Sequence, residues 1–171
     1  MGPVLPALLS LLDQPRRLLA LIAAACIALL AFGLYLQHAV GLEPCPMCIV
    51  QRYLFVLVAL VAAIGAVLPA ATARWSGALM ALLSLTGAGV AARQSWLQWF
   101  PPEVLTCGRD FYGMIESFPL KRAVPMIFRG SGDCSVIDWT FLGLSIANWS
   151  FLVFTGFAAT AALLWWRRPR G

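Results

Sequence analysis

Four long apolar runs constrain this chain more than any other feature. They extend over Leu18 to Leu36, Ile49 to Leu68, Trp75 to Ala92 and about Ile146 to Trp166. Each is close to the roughly 20 residues an α-helix needs to cross the hydrocarbon core of a bilayer. In lipid every backbone polar group must find its partner internally, so an isolated run of this length can span only as a helix. Composition agrees: 61% of the residues are hydrophobic and 11% charged, more apolar surface than a soluble domain of 171 residues can bury. The expected fold is therefore all-α and integral to the membrane. It is a single four-helix domain over residues 1–171, with a short connection at about 37–48 and a long one at about 93–145. The first run is too long for a signal peptide and is followed by no convincing small-residue cleavage site, so it reads as a retained anchor.

Four spans put both termini on one side and both connections on the other. Lysine and arginine counts tie between the sides. However, Arg16-Arg17 and Arg167-Arg168 with Arg170 abut the first and fourth runs, whereas the other side's basic residues are dispersed along the long connection. Termini on the cytoplasmic side are expected. The cysteines favour the same orientation, because four of the five lie on the other side and paired cysteines persist in an oxidising compartment such as the periplasm. The net charge of +5 forms no continuous basic face, so no nucleic-acid partner is expected. Trp75, Trp96, Trp99, Trp149, Trp165 and Trp166 fall near the run ends, as an interfacial aromatic belt requires.

The chemistry concentrates in Glu43-Pro44-Cys45-Pro46-Met47-Cys48-Ile49-Val50-Gln51-Arg52. Two cysteines separated by two residues can close a small ring that reduces more readily than a structural bridge. Helix signals begin at about Cys48, placing its sulfur near a helix N-terminus, where unpaired N–H groups and the macrodipole favour a thiolate. Arg52 follows one turn later on the same face. It can stabilise that thiolate or hydrogen-bond a carbonyl of an oxidant lying beside it, although an arginine near a span end also commonly snorkels to the interface.

Cys107 and Cys134 form a second pair in the long connection. A disulfide between them would close a large loop, either as an ordinary staple or, beside a C-x-x-C on the same face, as part of a thiol relay. A four-cysteine zinc site ranks lower, because only the first pair has knuckle spacing; no metal is expected. Cys26, in mid-run, reads as a small buried apolar residue. His38 reads as interfacial, and Gln94 with Trp96 and Trp99 as candidates to line a site at the third run's end. Phe111 to Phe128 either lies on the membrane surface as short helices broken by Pro119 and Pro125 or packs as a compact loop. Electrons taken from thiols need an acceptor. With no dinucleotide, flavin or haem-attachment motif in the chain, a quinone reached from within the bilayer fits best.

These residues resemble the DsbB family, bacterial inner-membrane proteins that reoxidise the periplasmic thiol oxidase DsbA using quinone. The likeness rests on four spans, Gln37-His38, Pro44-Cys45-Pro46-Met47-Cys48 with Arg52, Cys107, Gly132-Asp133-Cys134 and Trp139-Thr140-Phe141-Leu142-Gly143-Leu144. The resemblance implies a quinone-dependent thiol–disulfide oxidoreductase with Cys45, Cys48, Cys107 and Cys134 catalytic. A DsbA-like partner would attack a Cys107–Cys134 disulfide, with Cys107 taking the mixed disulfide. Cys134 would then exchange with Cys45, and the freed Cys48 would pass electrons to quinone held near Arg52 and Gln94. Some relatives carry a histidine near the position of Gln94, so histidine-assisted protonation is not expected here. The other readings are a non-enzymatic scaffold stapled by two disulfides and a thiol-reducing conduit, which would place reactive cysteines inside the spans.

Overall fold

Each apolar run begins or ends on a residue that dictates where helix can exist. The computed structural model describes residues 14–69, 73–101 and 134–166. Helix α1, Pro15–His38, starts with proline in its first turn, where the missing N–H costs nothing. Helix α2, Pro46–Val67, starts the same way and stops at Leu68, whose extended backbone is what a residue before proline prefers. Helix α3 spans Ala73–Trp99 and stops ahead of Pro101. Helix α4, Ile146–Trp166, is opened by Ser145, whose Oγ accepts from the Asn148 N–H at 3.4 Å in the manner of an N-cap.

All four helices are long and apolar enough to cross a membrane, and the chain is a multi-pass membrane protein. Consecutive helices pack together, α3 on α4 most extensively, then α1 on α2 and α2 on α3. The core is a stripe of inward residues: Leu19, Ile22 and Cys26 from α1, Val58 and Ala62 from α2, Met80 from α3, Phe154 and Ala161 from α4. Leu60, Ile64, Leu82, Leu85 and Leu163 point outward and stay exposed, as lipid-facing positions do. Cys26 is fully buried in this core, as its setting implied.

Two close approaches fix the middle of the bundle. Phe55 and Phe154 stack with ring centroids 4.1 Å apart. A methyl group at Gly87 would lie 2.6 to 2.7 Å from the Phe154 ring, so glycine is what lets α3 approach this stack. At Gly65 a methyl would come within 2.7 Å of Ser76 Oγ, drawing α2 equally close to α3.

Three local features differ from the sequence expectations. Helix α2 begins at Pro46, ahead of Cys48. Helix α3 outlasts its apolar run, continuing through Arg93 and Gln94 to Trp99, because nothing between Ala92 and Pro101 breaks a helix even though hydropathy falls. The otherwise helical chain also contains a small antiparallel hairpin, β1 (Thr140–Phe141) and β2 (Leu144–Ser145), pairing Thr140 with Ser145 and Phe141 with Leu144. Its two-residue turn has φ of +51° at Leu142 and +77° at Gly143, the positive pair that a tight hairpin turn needs. The segment 111–128 lies outside the described residues.

Candidate active site

Local chain geometry puts Cys45, not Cys48, at the very start of α2. Cys45 is the N-cap, and its Sγ accepts the Cys48 N–H at 3.4 Å, the role a serine or aspartate oxygen usually takes. Cys48 sits in the first turn with its Sγ 3.1 Å from that of Cys45, the two thiols in hydrogen-bond contact. Cys45 is buried and Cys48 half-buried.

Cys134 reaches the same place from far along the chain. It is 2% exposed and packs against Cys45 and Leu97, with Met47 and Cys48 on the flank. Hydrogen bonding with Cys134, then with Cys48, and burial push the Cys45 thiol above its ordinary range. Cys45 therefore holds its proton, which leaves Cys48 to carry any charge the pair develops. Cys107 lies outside the described residues. Among the described residues no group of three or more His, Cys, Asp or Glu is arranged to hold a metal ion.

The extension of α3 brings Gln94 beneath both sulfurs. Its Nε2 donates to Cys48 Sγ at 3.1 Å and to Cys45 Sγ at 3.3 Å. Its Oε1 accepts from Gln51 Nε2 at 2.7 Å, and both amides are 3% exposed. Arg52 lies on the next turn of α2, as the spacing predicted, and its guanidinium reaches across to α1. There it donates to Gln37 Oε1 and, at 3.2 Å, to the carbonyl of Gly33. His38, the last residue of α1, is exposed.

These groups border a cavity of about 600 Å³ lined from all four helices and the hairpin segment. Cys45, Cys48, Arg52 and Gln94 sit on its wall, and Phe32, Phe55 and Trp149 give it aromatic sides. The hairpin is built into this wall. Trp139 meets Phe32 edge-on at 5.7 Å and stacks on Phe141 at 6.1 Å, and Trp149 Nε1 donates to the Phe141 carbonyl at 3.0 Å. Ser145 Oγ donates to Gln98 Oε1 at 2.6 Å, tying the hairpin to the end of α3.

The structure thus gathers Cys45, Cys48, Cys134, Arg52 and Gln94 at one end of the bundle. Sequence reasoning missed Gln51 and the hairpin aromatics. Gln51 had one available signal, a polar amide inside an apolar run three residues after Cys48. A cysteine pair touching a third cysteine, beside a polar-headed apolar cavity, is suited to exchanging disulfides and handing two electrons to an apolar acceptor.

Comparison with known proteins agrees in kind. Residues 15–164 match the family model described as disulfide bond formation protein DsbB. A protein of Polaromonas sp. named disulfide bond formation protein B is 69% identical over 158 residues, covering 92% of this chain and 94% of that protein. Proteins of the same name from Polaromonas naphthalenivorans and Paracidovorax citrulli are 66% and 65% identical. Each of these two alignments covers 91% of this chain, with 94% and 90% of the respective relative.

Proposed function

The chain belongs to the DsbB family of disulfide bond formation proteins, and from that premise we propose that it reoxidises a periplasmic, DsbA-like thioredoxin-fold oxidase and passes the electrons to membrane quinone. It is a single membrane domain of the bacterial inner membrane, with both termini cytoplasmic and the cysteine pairs periplasmic. The arginines at the chain-terminal ends of α1 and α4 support that orientation.

The relay has four sulfur positions. A partner thiolate attacks Cys107 of a Cys107–Cys134 disulfide, forming a mixed disulfide at Cys107 and releasing Cys134. The partner's second thiol then resolves the mixed disulfide, so the partner leaves oxidised. Cys134 attacks Cys45 of a Cys45–Cys48 disulfide, and Cys48 leaves as a thiolate. Cys107 resolves the Cys134–Cys45 bridge, restoring the loop disulfide and leaving Cys45 and Cys48 reduced by two electrons. The packing of Cys134 on Cys45 supports the second exchange, and attack at Cys45 makes Cys48 the leaving sulfur.

The cavity wall supports an acceptor of quinone type. A planar ring with two carbonyl oxygens needs apolar flanks and donors at one end, which Phe32, Phe55 and Trp149 and then Arg52 supply. A bound quinone supplies a two-electron, two-proton acceptor. Arg52, held in place by Gln37 and Gly33, would donate N–H groups to a quinone carbonyl, and Cys48 lines the same cavity.

The observation that carries this reading is the placement of the Cys45–Cys48 pair, sulfur to sulfur at 3.1 Å, on the wall of a polar-ended apolar cavity. The test uses purified protein in detergent with a reduced thioredoxin-fold donor and a soluble quinone, following quinone absorbance. Donor-dependent quinone loss is expected, falling to background in Cys48→Ser, with a raised apparent KM for quinone in Arg52→Ala. The serine variant should still trap the donor at Cys107. Absence of quinone loss with any donor, disulfides intact, would replace this reading with an inert scaffold.

A further inference from the structure

Resting on the reading of Cys45–Cys48 as an exchanging pair, we infer that Gln94 is the donor that holds negative charge on that pair once it is reduced, and that Gln51 is the positioning residue that turns the Gln94 amide to do so. The family comparison assigns neither role.

Three observations meet here. First, the Gln94 amide nitrogen has two N–H groups and two sulfurs within reach, at 3.1 Å (Cys48) and 3.3 Å (Cys45). A neutral thiol gains little from such donors, whereas a thiolate gains a charge-assisted hydrogen bond. Second, both amides are almost fully buried, so water does not compete for their own hydrogen-bonding groups and the donor acts at low dielectric. Third, an amide can present either its oxygen or its nitrogen to a neighbour, and the two have opposite effects on a thiolate. The Gln51 N–H holds the Gln94 oxygen at 2.7 Å, so that oxygen stays 3.6 Å from Cys48 Sγ while the nitrogen comes within 3.1 and 3.3 Å of the two sulfurs. The shorter contacts therefore run from Gln51 through Gln94 to sulfur, and the longer Cys48 Sγ to Gln94 Oε1 contact, at 3.6 Å, needs a thiol proton and is lost once Cys48 is a thiolate.

The other groups facing the pair belong to different elements. Arg52 lies one turn along α2, Cys134 packs on Cys45 from the segment before β1, and Glu43 and Asp138 line the same cavity. On α3 the neighbouring Arg93 is exposed. Gln94 is the group within hydrogen-bond distance of both sulfurs that stays neutral across the working pH range, so its contribution does not itself titrate. The charge it stabilises is left on Cys48 when Cys45 is attacked and is consumed when the pair is reoxidised.

The test reads thiol chemistry alone. Full-length protein in detergent is reduced and freed of reductant. Alkylation of Cys48 by iodoacetamide is then followed by peptide mass spectrometry against pH, with neither quinone nor protein donor present. The set is the parent protein, Gln94→Met, Gln51→Met and the double variant, methionine keeping the volume while removing the amide. Loss of a hydrogen bond to a charged group should slow Cys48 alkylation in Gln94→Met roughly tenfold or more below the midpoint, and move the midpoint up by about one pH unit or more. Gln51→Met should shift it in the same direction by less, and the double variant should match Gln94→Met, because Gln51 acts only through Gln94. An unmoved midpoint in Gln94→Met would overturn the assignment, and additive shifts would overturn the positioning role of Gln51. Should Gln94→Met fail to fold, Gln94→Glu keeps the shape and turns acceptor oxygens to the sulfurs. The midpoint should then rise, and an unchanged or lower one would equally overturn the assignment. Because no quinone enters the reaction, a failure here is distinct from a failure of the quinone reading.

Discussion

In mid-bundle, where α2, α3 and α4 meet, Phe154 is fully buried, stacks on Phe55, and leaves Gly87 no space for a methyl group. Toward the cysteines the same helices part around a cavity of about 600 Å³ whose wall carries paired amides, an arginine and two cysteines. Phe55 belongs to both regions, stacked on Phe154 and lining the cavity. The difference shows how a small membrane protein keeps a reactive site open. Without a strong hydrophobic drive between helices in lipid, small residues and close packing hold the bundle together, and they do so away from the chemistry. The cavity end is then held by hydrogen bonds, which define positions without filling space.

That division can be broken from the packed side first. Phe154→Ala should remove the centre of the stack and cost about 3–5 kcal/mol. Thermal unfolding in detergent should register the loss, while Cys48 alkylation at low temperature stays near the parent rate. If alkylation changed as much as stability, the two regions would be one cooperative unit. Gly87→Ala tests the same region by overpacking. It should cost about 1–3 kcal/mol as the Phe154 ring is displaced, and since Phe55 shares that ring's stack, it should also narrow the cavity and raise the apparent KM for quinone. Ser145→Ala probes the hydrogen-bonded end. Losing the α4 cap and the Gln98 tie should cost about 0.5–2 kcal/mol, with hydrogen exchange rising first at Ile146 to Trp149.

The packed region was legible in the sequence and the open one only in part. Apolar length alone located α1, α2 and α4, but it started α1 at Leu18 and α2 at about Cys48, short of Pro15 and Pro46 where they begin, because a proline in the first turn is helix without being part of the apolar run. The Cys45–Cys48 spacing and the Arg52 offset placed these side chains together because both are local, within about one helical turn. Gln51 was not legible, since its partner Gln94 is 43 residues away and a lone amide in an apolar run declares no contact. The last turns of α3 were hidden because hydropathy follows lipid exposure while helix follows backbone. The hairpin was hidden because Leu142-Gly143 lacks the asparagine or aspartate that usually marks a positive-φ turn.

At the opposite end of the molecule, Arg16 donates Nε and Nη2 to the Leu68 carbonyl at 3.2 and 2.9 Å. Together with the Arg52 contact on Gly33, it makes two rungs between antiparallel helices. Gly33 lies 17 residues past Arg16 on α1, and Arg52 lies 16 residues before Leu68. At about 1.5 Å of rise per residue the rungs are almost level, so the helices share one vertical register. Inserting a single residue between them in α1 would turn everything beyond it by about 100° and carry the Gly33 carbonyl off the face that Arg52 reaches. The stretch between these rungs can thus change its side chains far more freely than its length.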